Sequence, residues 1–301
     1  MKINYSLPDK VFQITVSVIL GVIVLAMLYP LYFTVIASFS NPHQVARGNV
    51  IFLPKDFSLD AYKNIFINAH ILIGYRNTIF YTFFGTIWNL LLLIPCGYAM
   101  TKQGLKGRGI IMGIFIFTMY FGGGMVPYYF LIKNLGLINN PLVMIIPSGV
   151  SVYNIIIVRT AIMGSISSEL IDSAKIDGAG EFRIFLQIVL PLSKAIIAVM
   201  ALFHGVGHWN SFFNALMFIS NPNLYPLQLV LRQILILNQS LVINYEALTD
   251  VEALEAAIRR QNMAEAMKYS LIFVASVPVL AAYPFVQKFF VKGVMIGSLK
   301  G

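Results

Sequence analysis

Long apolar runs alternate with short polar segments along this chain. The runs cover residues 11–38, 77–100, 110–129, 142–163, 187–218 and 269–291. Each can supply the roughly 20 apolar residues that a helix needs to cross the hydrocarbon of a bilayer. None shows the short period-two segments from which a membrane β-barrel is built. The pattern predicts an all-α integral membrane protein of about six transmembrane helices. Pro30 falls inside the first run, where a kink is expected. Gly122, Gly123 and Gly124, with Pro127 just after, interrupt the third. Three glycines and a proline each disfavour continuous helix, a single glycine by about 1 kcal/mol. The break reads either as a helix end near the outer surface or as a flexible external gate.

Composition agrees. The 301 residues are 58% hydrophobic and 11% charged, where a soluble domain carries about 25% charged residues. A net charge of +9 would suggest nucleic acid in a soluble protein. Here the basic residues cluster in loops and report topology. Lys2 and Lys10 precede the first run, Lys102, Lys106 and Arg108 follow the second, and Lys288, Lys292 and Lys300 end the last. An even number of spans puts these on one side, so both termini are expected to be cytoplasmic. Arg47, Lys55, Lys63, Arg259 and Arg260 fall in the longer opposite loops, whose topological vote is weaker. Those loops, about 39–76 and 219–268, are expected to be extracytoplasmic. Ser58 or Asp60 fits the cap of a short helix carrying Tyr62, Ile65 and Phe66 in the first. Thr249 and Glu252 fit a capping box opening a helix to about residue 269 in the second. The first run is too long for a cleaved signal and reads as a retained anchor. The lone Cys96, inside the second run, reads as a small apolar packing residue.

Several chemistries are missing. No Asp or Glu occurs between Asp60 and Glu169, or between Glu181 and Glu246. Ion-coupled carriers keep ionisable groups at membrane depth, so this argues against one. There is no phosphate-binding G-x-x-x-x-G-K-[ST] loop, no HExxH and no Cys/His ligand cluster. His204 and His208 share one helix face, but two ligands fall short of the four of a structural site, and helix-packing histidines are the plainer reading. No metal site is expected. The residues suited to line a path for a polar solute are Tyr120, Tyr153, Asn154, Trp209, Asn210, Phe213 and Asn214. Rings stack on the C–H faces of sugars while amides bond hydroxyls; membrane-interface belt or core packing is the alternative.

One polar stretch stands out, SSELIDSAKIDGAGEFRIFLQIVLP at residues 167–191. Ser167 or Ser168 can cap a helix, with Glu169 in its first turn where a carboxylate favours the dipole. Asp172 and Lys175 are spaced to pair. Gly178 and Gly180 stop the helix. A second short helix from Glu181 leads into the fifth run, with Pro191 in its first turns. The product is a short helix beside the membrane, either an ordinary solvated loop or a docking surface.

The same stretch resembles the signature loop of permease subunits in binding-protein-dependent ABC importers: E-A-A, two residues, D-G-A, then a spaced F, I and L-P. The matching positions are Asp172, Ser173 and Ala174, then Asp177, Gly178 and Ala179, then Phe185, Ile188, Leu190 and Pro191. Asp172 and Ser173 depart from the pattern, and Ala195 stands where a later proline is usual. The segments at 122–140, 209–216 and 283–301 are similar to the carbohydrate branch of that family, its LplC-type members above all, which are similar to the second membrane subunit of the maltose importer.

The resemblance implies an ABC importer type I permease fold and a single transmembrane permease domain over 1–301. Its core spans would lie at about 77–291 and its cytoplasmic coupling loop at 164–187. It implies residence in the bacterial cytoplasmic membrane, a second homologous permease subunit, two cytoplasmic ATPase subunits and an extracytoplasmic solute-binding protein. The cargo would be a carbohydrate, with an oligosaccharide favoured. ATP and magnesium would be held by the ATPase, so this chain binds no cofactor and catalyses nothing. The residues that would dock on the ATPase are Glu169, Asp172, Ser173, Ala174, Asp177, Gly178, Ala179, Phe185 and Pro191. An ABC permease for a peptide or other solute, and an ion-coupled carrier, are the alternatives.

Overall fold

The structure is a computed structural model describing residues 7–147, 149–240 and 251–298. Lys2, Glu246, Thr249 and Lys300 lie outside them, and with Thr249 the expected capping box. Among the described residues fourteen α-helices follow in order: α1 Leu7–Ser38, α2 Pro42–Ala46, α3 Asp60–Ile67, α4 Ala69–Ala99, α5 Arg108–Tyr120, α6 Met125–Asn134, α7 Val152–Ser165, α8 Ser168–Ile176, α9 Glu181–Ile184, α10 Leu190–Leu192, α11 Lys194–Trp209, α12 Phe213–Phe218, α13 Leu227–Ser240 and α14 Val251–Ser298. No strand occurs among the described residues. Among the described residues three helices are long and apolar enough to span a membrane, and up to six spans result if each bent helix pair is taken as one.

Three of the six candidate spans are bent pairs of helices, one of them at the glycines where a break is expected. Between α5 and α6 the chain turns by 114° at the glycines. Only Gly124 of the three has a left-handed backbone, φ 83°. Added Cβ atoms would meet open space at Gly122 and Gly124. Gly124→Ala should therefore destabilise by about 1–3 kcal/mol through backbone strain alone, whereas Gly122→Ala should be neutral. Melting of the detergent-solubilised variants checks both. The run at 142–163 is helical only from Val152, after a 3₁₀ turn at Pro141–Met144. The run at 187–218 bends by 78° between Leu192 and Lys194. Leu190 N–H reaches back five residues to the Phe185 carbonyl, a π turn just before Pro191. Proline supplies no N–H and crowds the carbonyl four residues earlier, which favours such a widening. The segment 219–268, expected to be a loop with one helix, holds α13 and the start of α14. That helix continues without a break into the sixth apolar run.

The chain forms two compact units, residues 1–68 with 233–277, and 69–232 with 278–301. In the first, α1 leaves its side chains largely exposed until Ile36, Ala37 and Ser38. Those three begin a small core with Val45 and Val50. Tyr62 on α3 donates to the Ser38 hydroxyl at 2.7 Å. Leu59 holds the N-cap position of α3 without a side-chain cap, and the Ser58 hydroxyl just before it accepts from Asp60 N–H at 3.1 Å.

The second unit is built on α4. Its buried residues Gly74, Thr78, Tyr81, Gly85, Asn89, Leu93 and Gly97 recur every three or four positions and so form one face. At one end Asn77 donates to the carbonyls of Asn223 and Tyr225, and Tyr81 to that of Leu224. At Gly85 the His208 ring of α11 comes so close that a Cβ would sit 2.4 Å from it. At Gly97 the same holds for Val158 of α7, at 2.5 Å. Glycine at these places lets neighbouring helices touch the α4 backbone. Beyond them Leu93, Ile94 and Tyr98 join Ile155, Val158, Ile162, Ile184 and Met200 in the larger core.

Candidate functional site

The polar stretch 167–191 forms a short helix turned away from the one before it. The angle between α7 and α8 is 75°. Ser167 precedes α8, but its hydroxyl bonds the Glu169 carboxylate and caps no backbone N–H. Glu169's own backbone N–H and then that hydroxyl hold its carboxyl below the ordinary carboxylate range. The C-terminal end explains the spacing of the motif. Gly178 has φ 79°. Ala179 N–H bonds the Ala174 carbonyl at 2.9 Å, and Gly178 N–H bonds the Lys175 carbonyl at 3.0 Å. These two bonds make a Schellman ending, which needs a residue tolerant of positive φ and brings the third residue before the cap against the second after it. Those two residues are Ala174 and Ala179, both packed on the larger core. Asp172, Ser173, Asp177 and Gly178 stay exposed. The small apolar members of the motif thus build the turn, and its polar members remain open.

The expected Asp172–Lys175 pair is not among the ion pairs of the described residues. Lys175 Nζ lies instead 3.6 Å from Glu181 Oε1. Glu181 Oε2 takes Lys102 Nζ at 2.7 Å and the Tyr98 hydroxyl at 2.9 Å. The Lys102 ammonium holds the Glu181 carboxyl below its ordinary value, against the opposing effect of burial. Phe185 stacks obliquely on the Tyr98 ring, with centroids 5.4 Å apart. Pro191 is exposed at the second bend. Tyr98, in the last turn of α4, and Lys102, four positions later in the loop after it, are not paired by the sequence, where Lys102 reads only as a loop charge. Glu181 and Phe185 have the same spacing on the facing segment.

The path candidates have different surroundings. Asn154 bonds His204 at 3.2 Å. Trp209 is buried and meets Tyr75 edge-on at 6.2 Å. Asn210 spends its amide on the Val206 carbonyl of its own helix. Tyr120, Tyr153 and Phe213 are exposed on α5, α7 and α12. His208 is buried and bonds Asn89 at 2.6 Å. The two histidines therefore tie helices together, and no three His, Cys, Asp or Glu residues among the described ones could hold a metal ion.

Residues 5–295 match the family of binding-protein-dependent transport system inner membrane components. The chain belongs to that family. Among its relatives is protein LplC of Bacillus subtilis (strain 168), 37% identical over 97% of this chain and 96% of that protein. The polygalacturonan/rhamnogalacturonan transport system permease protein YtcP of the same organism is 33% identical over 97% of this chain and 99% of its own length. A solved bacterial ABC transporter involved in the import of the acidic polysaccharide alginate has a chain of the same fold. It superposes with a TM-score of 0.84 at 31% identity, covering 95% of this chain and 99% of that one. The all-helical fold is thus that of an ABC importer permease, a transport component of the bacterial inner membrane and not an enzyme in its own right.

Proposed function

We propose that this permease forms half of the translocation path of an ABC importer for a carbohydrate, with an oligosaccharide as cargo. The single observation that carries the cargo class is full-length likeness at more than 30% identity to a polygalacturonan/rhamnogalacturonan transport permease and to a chain of a transporter involved in alginate import. In this reading α8 is the coupling helix and docks on one of two cytoplasmic ATPase subunits, which hold ATP and magnesium. Both termini lie on that same side. A second permease completes the path and a solute-binding protein delivers the sugar from outside. Its turned axis and its Schellman ending, which fixes a compact, open-faced tip, support α8 in this role. The coupling works only insofar as the ATPase binds one permease state better than the other.

Solubilising native membranes and purifying this chain tests the reading. A second permease, an ATPase and a binding protein should be recovered with it. ATP hydrolysis by the complex should rise when the binding protein is supplied with uronic-acid or neutral oligosaccharides. Hydrolysis stimulated only by peptides would overturn the cargo class. Recovery without any ATPase would overturn the importer assignment for α8.

A further inference from the structure

The C-terminal end of α4 and the loop after it are tied to three other segments of their unit, α7, α5 and α9. The Met100 carbonyl accepts from Arg159 Nε of α7 at 2.9 Å. The carbonyls of Thr101 and Lys102 accept from Arg108, at the start of α5. The third tie runs to α9 through Tyr98, Lys102 and Glu181. It differs from the others because it also reaches α8, through Lys175. One carboxylate thereby joins the end of α4, the loop after it and the helix before α9.

Its construction is specific. Glu181 and Phe185 stand one turn apart and grip the same buried tyrosine, one at the hydroxyl and one at the ring. The Lys102 ammonium, 24% exposed, lies over that ring at 4.3 Å from its centre. The carboxylate is 57% exposed, and a lone pair so placed would stabilise the fold little. A network fixed on a buried ring does something else: it sets the distance and angle between two segments. Ile171 and Ala174 of α8, with Ala179 just after it, also pack on the larger core, but through apolar contacts without charge or hydrogen bond.

We infer that Glu181 is a positioning residue, a strut that carries movement of α8 into α4 through Lys102 and Tyr98. The inference rests on the reading of α8 as the coupling helix. Through α4 the movement would reach the α4–α11 seam at Gly85 and the α4–α7 contact at Gly97. Glu181 matches no position of the signature motif quoted above, and the strut adds Tyr98 and Lys102 to the motif's own residues.

The test is hydrogen exchange on the complex of the full chain with its ATPase in nanodiscs, with and without ATP, magnesium and vanadate. In the unaltered chain nucleotide trapping should change amide protection in both α8 and α4. Glu181→Gln and Lys102→Met should each raise exchange at 99–107 by about fivefold or more. Each should abolish the nucleotide response of α4 while α8 still responds and ATP hydrolysis stays within about twofold. The double variant should be no worse than either single one, because both remove the same link. Tyr98→Phe keeps the ring packed and should give a weaker version of the same loss, which covers the case of a charge variant that does not assemble. An α4 response that survives in Glu181→Gln, or that is missing from the unaltered chain, overturns the strut. Absence of an ATPase from the purified complex would instead overturn the coupling-helix reading beneath it.

Discussion

Gly178→Val should cut ATP-driven uptake about 5- to 30-fold while the protein still reaches the membrane in normal amount. The backbone at Gly178 has φ 79°. A left-handed conformation costs an L residue about 1–2 kcal/mol, which corresponds to that range of populations. Valine adds a branched Cβ that fits this region worse than most side chains. Beyond its chain neighbours, none of the described residues lies within 4 Å of the new Cβ, so the effect is conformational and spares the core. The strain falls on the two bonds that close α8. Once they open, Ala179 leaves Ala174 and the tip proposed to dock on the ATPase loses its shape. Asparagine tolerates the left-handed region, so Gly178→Asn should retain most of the uptake. Uptake of whichever sugar stimulates hydrolysis, set against membrane abundance on immunoblots, checks both variants. Normal uptake by the valine variant would remove α8 from the coupling step.

Much of this was legible in the sequence because the bilayer imposes strong demands. The apolar runs located α1, α4 and the second half of α14. The motif spacing located the end of α8, since a Schellman turn favours glycine at one place and an apolar contact between two others. The breaks were less legible. Gly122–Gly124 announced one bend, but the bend after Leu192 depends on how Pro191 widens the turn before it. An apolar run reads the same whether it is straight or folded back. α13 was missed for a different reason. It is 14 residues long, too short for a span. Its apolar residues Leu227, Leu229, Val230 and Leu231 are buried within the protein, so hydropathy over a membrane-length window does not find it. The pairs Glu181–Lys102 and Asn89–His208 join residues about 80 and 120 positions apart, and local pattern carries no information on them. The Asp172–Lys175 pair failed for the converse reason. Local spacing allowed it, and a better-placed carboxylate at Glu181 took the lysine.

Gly85→Leu should remove folded permease from the membrane altogether, and Gly85→Ala should already lower its melting temperature. A single added carbon at Gly85 would lie 2.4 Å from His208 Cε1 and 2.5 Å from Nε2. The imidazole is only 6% exposed and is held to Asn89 at 2.6 Å, so it cannot swing aside at little cost. Overpacking of this kind costs about 1–3 kcal/mol. Displacing the ring also leaves the buried Asn89 amide without its imidazole, a further penalty of about 1–3 kcal/mol. Leucine adds three more carbons to the same closed space. Gly205→Ala, on the facing helix of the same seam, is the control. Its Cβ would meet Thr86 Oγ1 at 3.6 Å, an ordinary contact, and should be nearly neutral. Size-exclusion profiles and thermal unfolding of the solubilised variants separate the two positions. The companion variant Gly85→Ala with His208→Ala should regain part of the loss by relieving the clash while the Asn89 penalty remains. If Gly85→Ala melts like the unaltered chain, α4 and α11 are held apart from each other by more than this structure places between them, and the seam is not what fixes the second unit.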